Sequence, residues 1–497
     1  MKLPRRRFLE LAAGAAALPL AALIARSQTP PTRPLQERPT RALAERLAAY
    51  ADSLRYEDLD AAAVEAVKTH LIDTLGCGIA AFDEGPVRIC RDVALAHAGS
   101  GSTVIGTDRR VAPDLAAFAN GAAFRYYDLN DFYIGRLTGH PSDQIAACLA
   151  VAEAERASAL ELITAIALVY EINCRLIDAF DITTSGWDAP AFSLPAVALA
   201  AGKLMKLDTD KLTQAVNIAI NGHMPMGQTR VQTLSDWKGL ADAEAGRDAV
   251  FAALLARGGI TGPAPIFEGQ LGFFRQVSGS TNVDVDSFGR HGIPFRINQC
   301  GIKAYPAQTY TQAAIVASIA VAKLVGSLDR ITSIEIATAR RGYEMTGSGP
   351  EKWAPTTRDT ADHSLPYIVA RTMFDGDITN ESYAAEKLRD PRIVAFMRKI
   401  TVIEDPALTA RTNASTVPSR ITAVLIDGQH IVREVENVPG FVGRPMSRTE
   451  AERKFRGNVG TRWPQERTDE ILQALWALDR ADDLSYLLGR LLVQTKP

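Results

Sequence analysis

Apolar residues recur at helical spacing along most of this chain. Over residues 61–81, Val64, Val67, Leu71 and Leu75 fall on one face with no proline among them, which predicts an amphipathic helix. The stretches 144–157, 159–176 and 194–207 share that period and predict three more helices. Asp208-Thr209-Asp210 offers N-cap side chains ahead of a helix at 212–220. Another helix over 240–257 ends at Gly258-Gly259, where a C-cap glycine belongs. These segments are rich in alanine, and small side chains let helix axes approach closely.

The pattern changes after about residue 295. Residues 331–337 alternate and are rich in β-branched side chains, and 400–403 is a short apolar run. Both predict strands. Residues 421–426 lead into Asp427-Gly428 and on to 431–438, a strong hairpin signal. Helical spacing returns at 449–455 and 469–492, and there is no internal repeat. The predicted fold is mainly α. A large all-helical domain spans 42–294, a smaller α+β lid domain is inserted at 295–440, and C-terminal helices at 441–497 return to the helical domain.

The start of the chain stands apart. Arg5-Arg6-Arg7-Phe8-Leu9 precedes an apolar run over 11–24, too short for a membrane helix, which needs about 20 residues. A charged segment before a weakly hydrophobic one has the layout of a signal peptide, and Arg-Arg-x-Phe-Leu resembles a twin-arginine export signal. The alternative is a basic N-terminal tail. Residues 1–27 are thus expected to be the signal and the proline-bearing stretch 28–41 a linker, making the protein periplasmic, with membrane contact only through the export machinery.

That expectation changes the charge balance. The 497 residues carry a formal net charge of −2. Residues 1–27 hold five basic side chains and one acid, so the chain beyond them carries −6. There is no basic footprint for nucleic acid, and an anionic ligand would have to be met by a few placed cations. The five cysteines are scattered, with no zinc-ligand spacing and no disulfide framework. No metal site is predicted. Phosphate-binding, dinucleotide-binding, nucleophile-elbow and HExxH motifs are all missing.

Four stretches carry candidate chemistry. Phe124-Arg125-Tyr126-Tyr127-Asp128-Leu129-Asn130-Asp131 runs on to Gly139-His140-Pro141-Ser142-Asp143. A histidine on the stiff backbone before a proline, at a helix start, suits general acid–base work because it titrates near neutral pH. A loop whose His and Asp side chains only cap helices is the competing reading. Asp236-Trp237-Lys238-Gly239 puts a cation beside a helix N-terminus, a natural carboxylate site, or else an ordinary surface lysine. Lys303-Ala304-Tyr305-Pro306-Ala307-Gln308 lies at the junction of body and insert, where clefts form. Asp362-His363-Ser364 offers a histidine that can face a site or serve as a cap.

In this order and at these separations, the four stretches make the chain resemble the MmgE/PrpD family, which includes 2-methylcitrate dehydratase and cis-aconitate decarboxylase. Asp375-Gly376 with Ile378-Thr379, and Pro445-Met446-Ser447 ahead of Lys454-Phe455, add to the likeness. The resemblance implies a helical body with an α+β lid, a homodimer, and cofactor-free chemistry on small di- or tricarboxylates. By residue-wise carry-over it implies His140 as catalytic histidine, Asp128 as its neighbour at the substrate, and Lys238 as carboxylate clamp. Lys303, Tyr305, Gln308, Ser142 and His363 become substrate-binding candidates. Two departures stand out. Gly186-Trp187-Asp188 replaces a common Gly-aromatic-His, and Gln308 replaces a histidine of the decarboxylases; an amide cannot act as a base. The expected activity is therefore a dehydratase-type lyase. An isomerase, epimerase or decarboxylase of the same family, and a non-catalytic periplasmic carboxylate-binding protein, are the alternatives.

Overall fold

The computed structural model describes residues 41–493 apart from 98, 280, 482 and 483. The expected signal and nearly all of the linker lie outside the described residues. The rest is mainly α, as the periodicity predicts. Helices run over Ala61–Ala80, Ala159–Ala179, Ser193–Leu204, Thr209–Gly222 and Ala241–Arg257. Their ends follow local chemistry. Asp60 accepts from the Ala63 amide, Ser158 and Glu161 form a capping box, and Asp208 accepts from the Lys211 amide. Gly259, just past the 241–257 helix, takes φ +97°.

One apolar core unites these helices with the C-terminal ones, from Leu43 through Phe295 and Ile297 and again from Phe455 to Val493. The helix Arg448–Val459 packs on Ala61–Ala80. Gly76 permits this close approach, because a Cβ there would lie 3.0 Å from the Phe455 ring. The helical spacing over 469–492 yields two shorter helices, Gln465–Trp476 and Leu484–Gly489. The break is a turn at Leu478–Arg480, where Leu478 is buried and Asp479 pairs with Lys68 at 2.6 Å.

A second core belongs to the insert. Its sheet has the order 400–404, 331–338, 419–425, 430–435, with the first pair parallel and the others antiparallel. The strand Ser419–Leu425 buries alternate positions, Ile421, Ala423 and Leu425 facing the core. The hairpin turns at Asp427-Gly428, with Gly428 at φ +80°. Helices Gln312–Val325 and Leu365–Asp375 share the apolar cluster with this sheet.

A small three-stranded sheet was not anticipated by the sequence reading. Asp131–Ile134 pairs with Thr138–Gly139 on one side and with Gly301–Ile302 on the other, both antiparallel. The insert is pinched at this point. The Ile302 amide donates to the Gly440 carbonyl at 2.8 Å, so the entering and leaving chains touch. Gly440 sits at φ +92°, and a Cβ there would come within 1.9 Å of the Ile302 oxygen.

Candidate active site

The pinch brings two chemistry-bearing stretches together. The helix Pro113–Arg125 ends, and Asp128 takes a left-handed conformation at φ +50°, which aspartate tolerates better than most residues. The strand from Asp131 then leads through its hairpin to His140, which precedes a 3-10 turn opened by Pro141. Pairing of Asp131 with Ile302 sets Lys303 beside this stretch, its amide donating to the Asn130 carbonyl at 3.2 Å.

A cavity of about 960 Å³ opens here, lined by Asp128, His140, Lys303, Gln308 and His363 among others. The His140 Nδ1 lies 2.7 Å from the Asp131 carbonyl oxygen. A carbonyl only accepts, so Nδ1 carries the proton and Nε2 keeps its lone pair. Burial pushes the imidazole pKa well below its ordinary value, and Arg125 and Lys303 push the same way. His140 is thus a neutral imidazole with a free basic nitrogen.

Asp128 is its charged neighbour. Burial opposes ionisation, but Arg125 and Lys303 outweigh it and hold the carboxyl well below the usual range. Arg125 bridges Asp128 and Asp143, the latter at 3.3 Å. Lys303 donates to the Asp128 carbonyl at 3.0 Å and to its Oδ1 at 2.5 Å. Burial lowers the Lys303 pKa to about 8 even with Asp128 holding it up. On the lid side, His363 Nδ1 lies 2.6 Å from Asp362 Oδ1, and burial lowers its pKa to about 4 with Lys238 reinforcing the shift.

Three of the substrate candidates, Lys238, Ser142 and Tyr305, are not among the residues that line this cavity. Lys238 does not line the cavity. Its ammonium is fully buried, 3.0 Å from Asp362 and 3.1 Å from Asp359. Burial disfavours the charge, but the two acids outweigh it and raise the pKa. With two carboxylates already on it, this lysine supports the wall behind Asp362 instead of offering a free clamp. Ser142 is also buried behind the wall, its hydroxyl donating to Asp131 Oδ1 at 2.6 Å and so bracing the strand that carries His140. Tyr305 lines a separate cavity of about 760 Å³ together with Tyr127 and Lys454. Gln308 does line the main cavity, but its Oε1 accepts from the Tyr310 amide at 2.6 Å, which fixes the amide as a helix cap.

Other residues complete the wall. Arg230 donates from Nε to both oxygens of Asp188 at 3.0 and 2.8 Å, and its Nη2 lies 3.2 Å from Asp242. Burial raises Asp242 to about 6 although Arg230 pulls it down. Lys352 also lines the cavity. Arg125 lies three residues before Asp128, so sequence proximity alone points to it. Arg230 and Lys352 carry no local signal, because their partners or roles arise only on folding. Asp128, Asp362 and His363 each place a ligand atom within 4.8 Å of the others, a spacing that could hold a metal ion. Their carboxylates already face Lys303, Arg125 and Lys238, so an added cation would have to displace or crowd three positive groups.

Comparison with known proteins gives this geometry a context. Residues 45–286 match the MmgE/PrpD N-terminal domain and residues 305–478 the MmgE/PrpD C-terminal domain. The chain belongs to the MmgE/PrpD family. It is 27% identical over 464 residues to 2-methylcitrate dehydratase of Cupriavidus necator, covering 86% of this chain and 92% of that one. The corresponding enzyme of Salmonella typhimurium is 26% identical over 459 residues, with the same coverage of 86% and 92%. Cis-aconitate decarboxylase of Mus musculus is 24% identical over 463 residues, covering 90% and 93%. Among MmgE/PrpD proteins, those bearing these names are dehydratases and a decarboxylase, so the chain is a lyase-type family member. Asp188 is built into the cavity wall as the partner of Arg230.

Proposed function

We propose that the protein is a cofactor-independent lyase that dehydrates a small di- or tricarboxylate by removing the proton next to a carboxylate. The observation that carries this reading is His140. Its Nδ1 is committed to a backbone carbonyl, its charge is suppressed, and it lines a cavity beside a buried lysine. Nε2 takes the α-proton. The charge that develops on the carboxylate faces Lys303, whose third N–H remains after its two bonds to Asp128. Lys303, at about 8, also holds a proton it can pass to the departing hydroxide. Asp128 keeps Lys303 in place and offsets the positive charge that would build up around His140.

Purified protein incubated in heavy water with citrate-like and aspartate-like acids tests this. Exchange at the α-carbon with loss of water supports the dehydratase, and exchange with inversion supports an epimerase. One observation favours the epimerase: Asp188 is held by Arg230 and Gln308 is fixed as a helix cap, so neither offers the cavity a second titrating imidazole. Binding without exchange would make the protein a carboxylate carrier and overturn the enzymatic reading. Export to the periplasm is part of the proposal, carried by Arg5-Arg6-Arg7-Phe8-Leu9; cell fractionation with and without Arg5 and Arg6 replaced by lysine checks it. Homodimerisation is proposed from the family. Met226, Val231 and Trp237, exposed by 70, 49 and 45%, are apolar surface near the cavity that a second copy would cover, and sedimentation velocity measures it.

A further inference from the structure

Five cations line the main cavity: Arg125, Arg230, Lys303, Arg341 and Lys352. Four are matched. Arg125 has Asp128 and Asp143, Arg230 has Asp188 and Asp242, Lys303 has Asp128, and Arg341 has Asp181 at 3.3 Å. Lys352 differs. The residue is only 8% exposed, yet among the described residues no carboxylate lies within ion-pair distance and no acceptor takes a hydrogen bond from its ammonium. The neighbouring acid does not serve it either. Glu351 folds back over Gly349, its Oε2 2.5 Å from where a Cβ on that glycine would stand. The Lys352 backbone is fixed, because its carbonyl accepts from the Ser364 hydroxyl next to His363.

An ammonium on a cavity wall with no acid paired to it is free to take an anion that enters the cavity. We infer that Lys352 is the residue that anchors a carboxylate of the substrate, in the cavity it shares with His140 and Lys303. The ligand class rests on the proposed function, while the vacancy for an anion rests on the unpaired ammonium alone. Neither Lys238 nor Lys303 can fill this role as freely, since each already holds carboxylate oxygens at 2.5–3.1 Å. Such an anchor also selects for length. A substrate must carry a second carboxylate far enough from its α-carbon to reach Lys352 while Nε2 of His140 takes the proton, which favours di- and tricarboxylates over monocarboxylates. Burial lowers the Lys352 pKa, with Glu351 and Asp362 opposing the shift, so anion binding is expected to weaken at a lower pH than for an ordinary lysine.

Titration calorimetry with tricarballylate, a tricarboxylate with no hydroxyl to eliminate, tests the anchor. Lys352→Met should weaken binding by about 10–100-fold, the range for losing one charge-assisted contact. Lys352→Arg should keep most of the affinity and extend binding to higher pH, because guanidinium stays charged. Equal binding by the wild type and Lys352→Met overturns the inference. If Lys352→Met fails to fold, Lys352→Gln decides, and wild-type binding in it is equally fatal. A wild type that binds neither tricarballylate nor succinate at any pH overturns the carboxylate reading of the whole site, a result distinct from the first.

Discussion

Replacing Lys238 by methionine should damage the fold more than the affinity for substrate. The side chain is fully buried and holds Asp362 at 3.0 Å and Asp359 at 3.1 Å. Removing it leaves two buried carboxylates without their cation, and breaking a buried pair from one side costs about 3–5 kcal/mol. Burial already raises the Asp359 pKa against the pull of Lys238. Asp362 is held below its ordinary value only because Lys238 and His363 outweigh burial. Without the lysine both carboxyls rise. A carboxyl whose folded pKa exceeds its unfolded one destabilises at high pH and is relieved as pH falls through the raised value. The stability gap between wild type and Lys238→Met should therefore be widest near pH 8 and shrink towards pH 5. Guanidinium unfolding followed by circular dichroism at several pH values measures it, and adding Asp362→Asn to Lys238→Met should recover part of the loss. Wild-type stability in Lys238→Met, with an effect confined to KM, would refute this account and restore the lysine as a substrate clamp.

His140→Ala should lower turnover by about 10²–10⁴-fold, the usual contribution of a general base, with tricarballylate binding retained; unchanged turnover removes His140 from the mechanism. Because burial, Arg125 and Lys303 depress the His140 pKa, its basic form persists on acidification, so kcat/KM should show no acid limb near 6.5. Lys303, lowered to about 8 by burial, should make kcat fall as pH rises through about 8 as its proton is lost, and a kcat flat to pH 10 contradicts that. Asp188→His places an imidazole against Arg230 and removes the carboxylate whose two oxygens accept from its Nε. Thermal melting should show a loss on the order of 2 kcal/mol, and no new decarboxylation should appear in product analysis while Arg230 remains.

Much of the fold was legible because helical period and capping act within a few residues. Asp208 caps the helix it precedes, and Asp427-Gly428 turns the hairpin it interrupts. The strand Asp131–Ile134 was not, since its register is set by Gly301 and Ile302, far along the chain. The site divides in the same way. His140 and Asp128 announce themselves by residue type and a stiff local backbone. The surroundings of Lys238 depend on Asp359 and Asp362, more than a hundred residues later, and no local pattern announces that two acids will pair with it. Lys352 is the converse: a lysine in an ordinary polar stretch gains interest only once folding sets it on the cavity wall without an acid paired to it.

The clasp between Ile302 and Gly440 brings the two ends of the 303–439 excursion together. The two ends of the excursion already touch through a 2.8 Å backbone hydrogen bond, and the body core is completed by residues from both sides of it. A chain in which 303–439 gives way to a short glycine-bearing turn would close almost no extra loop, so little entropy is at stake. Such a chain should keep the body's helices and lack Lys303, Lys352 and His363. The same junction would let one helical body carry lids of different wall chemistry, with the proton-abstracting histidine kept and the substrate chosen by the exchangeable part.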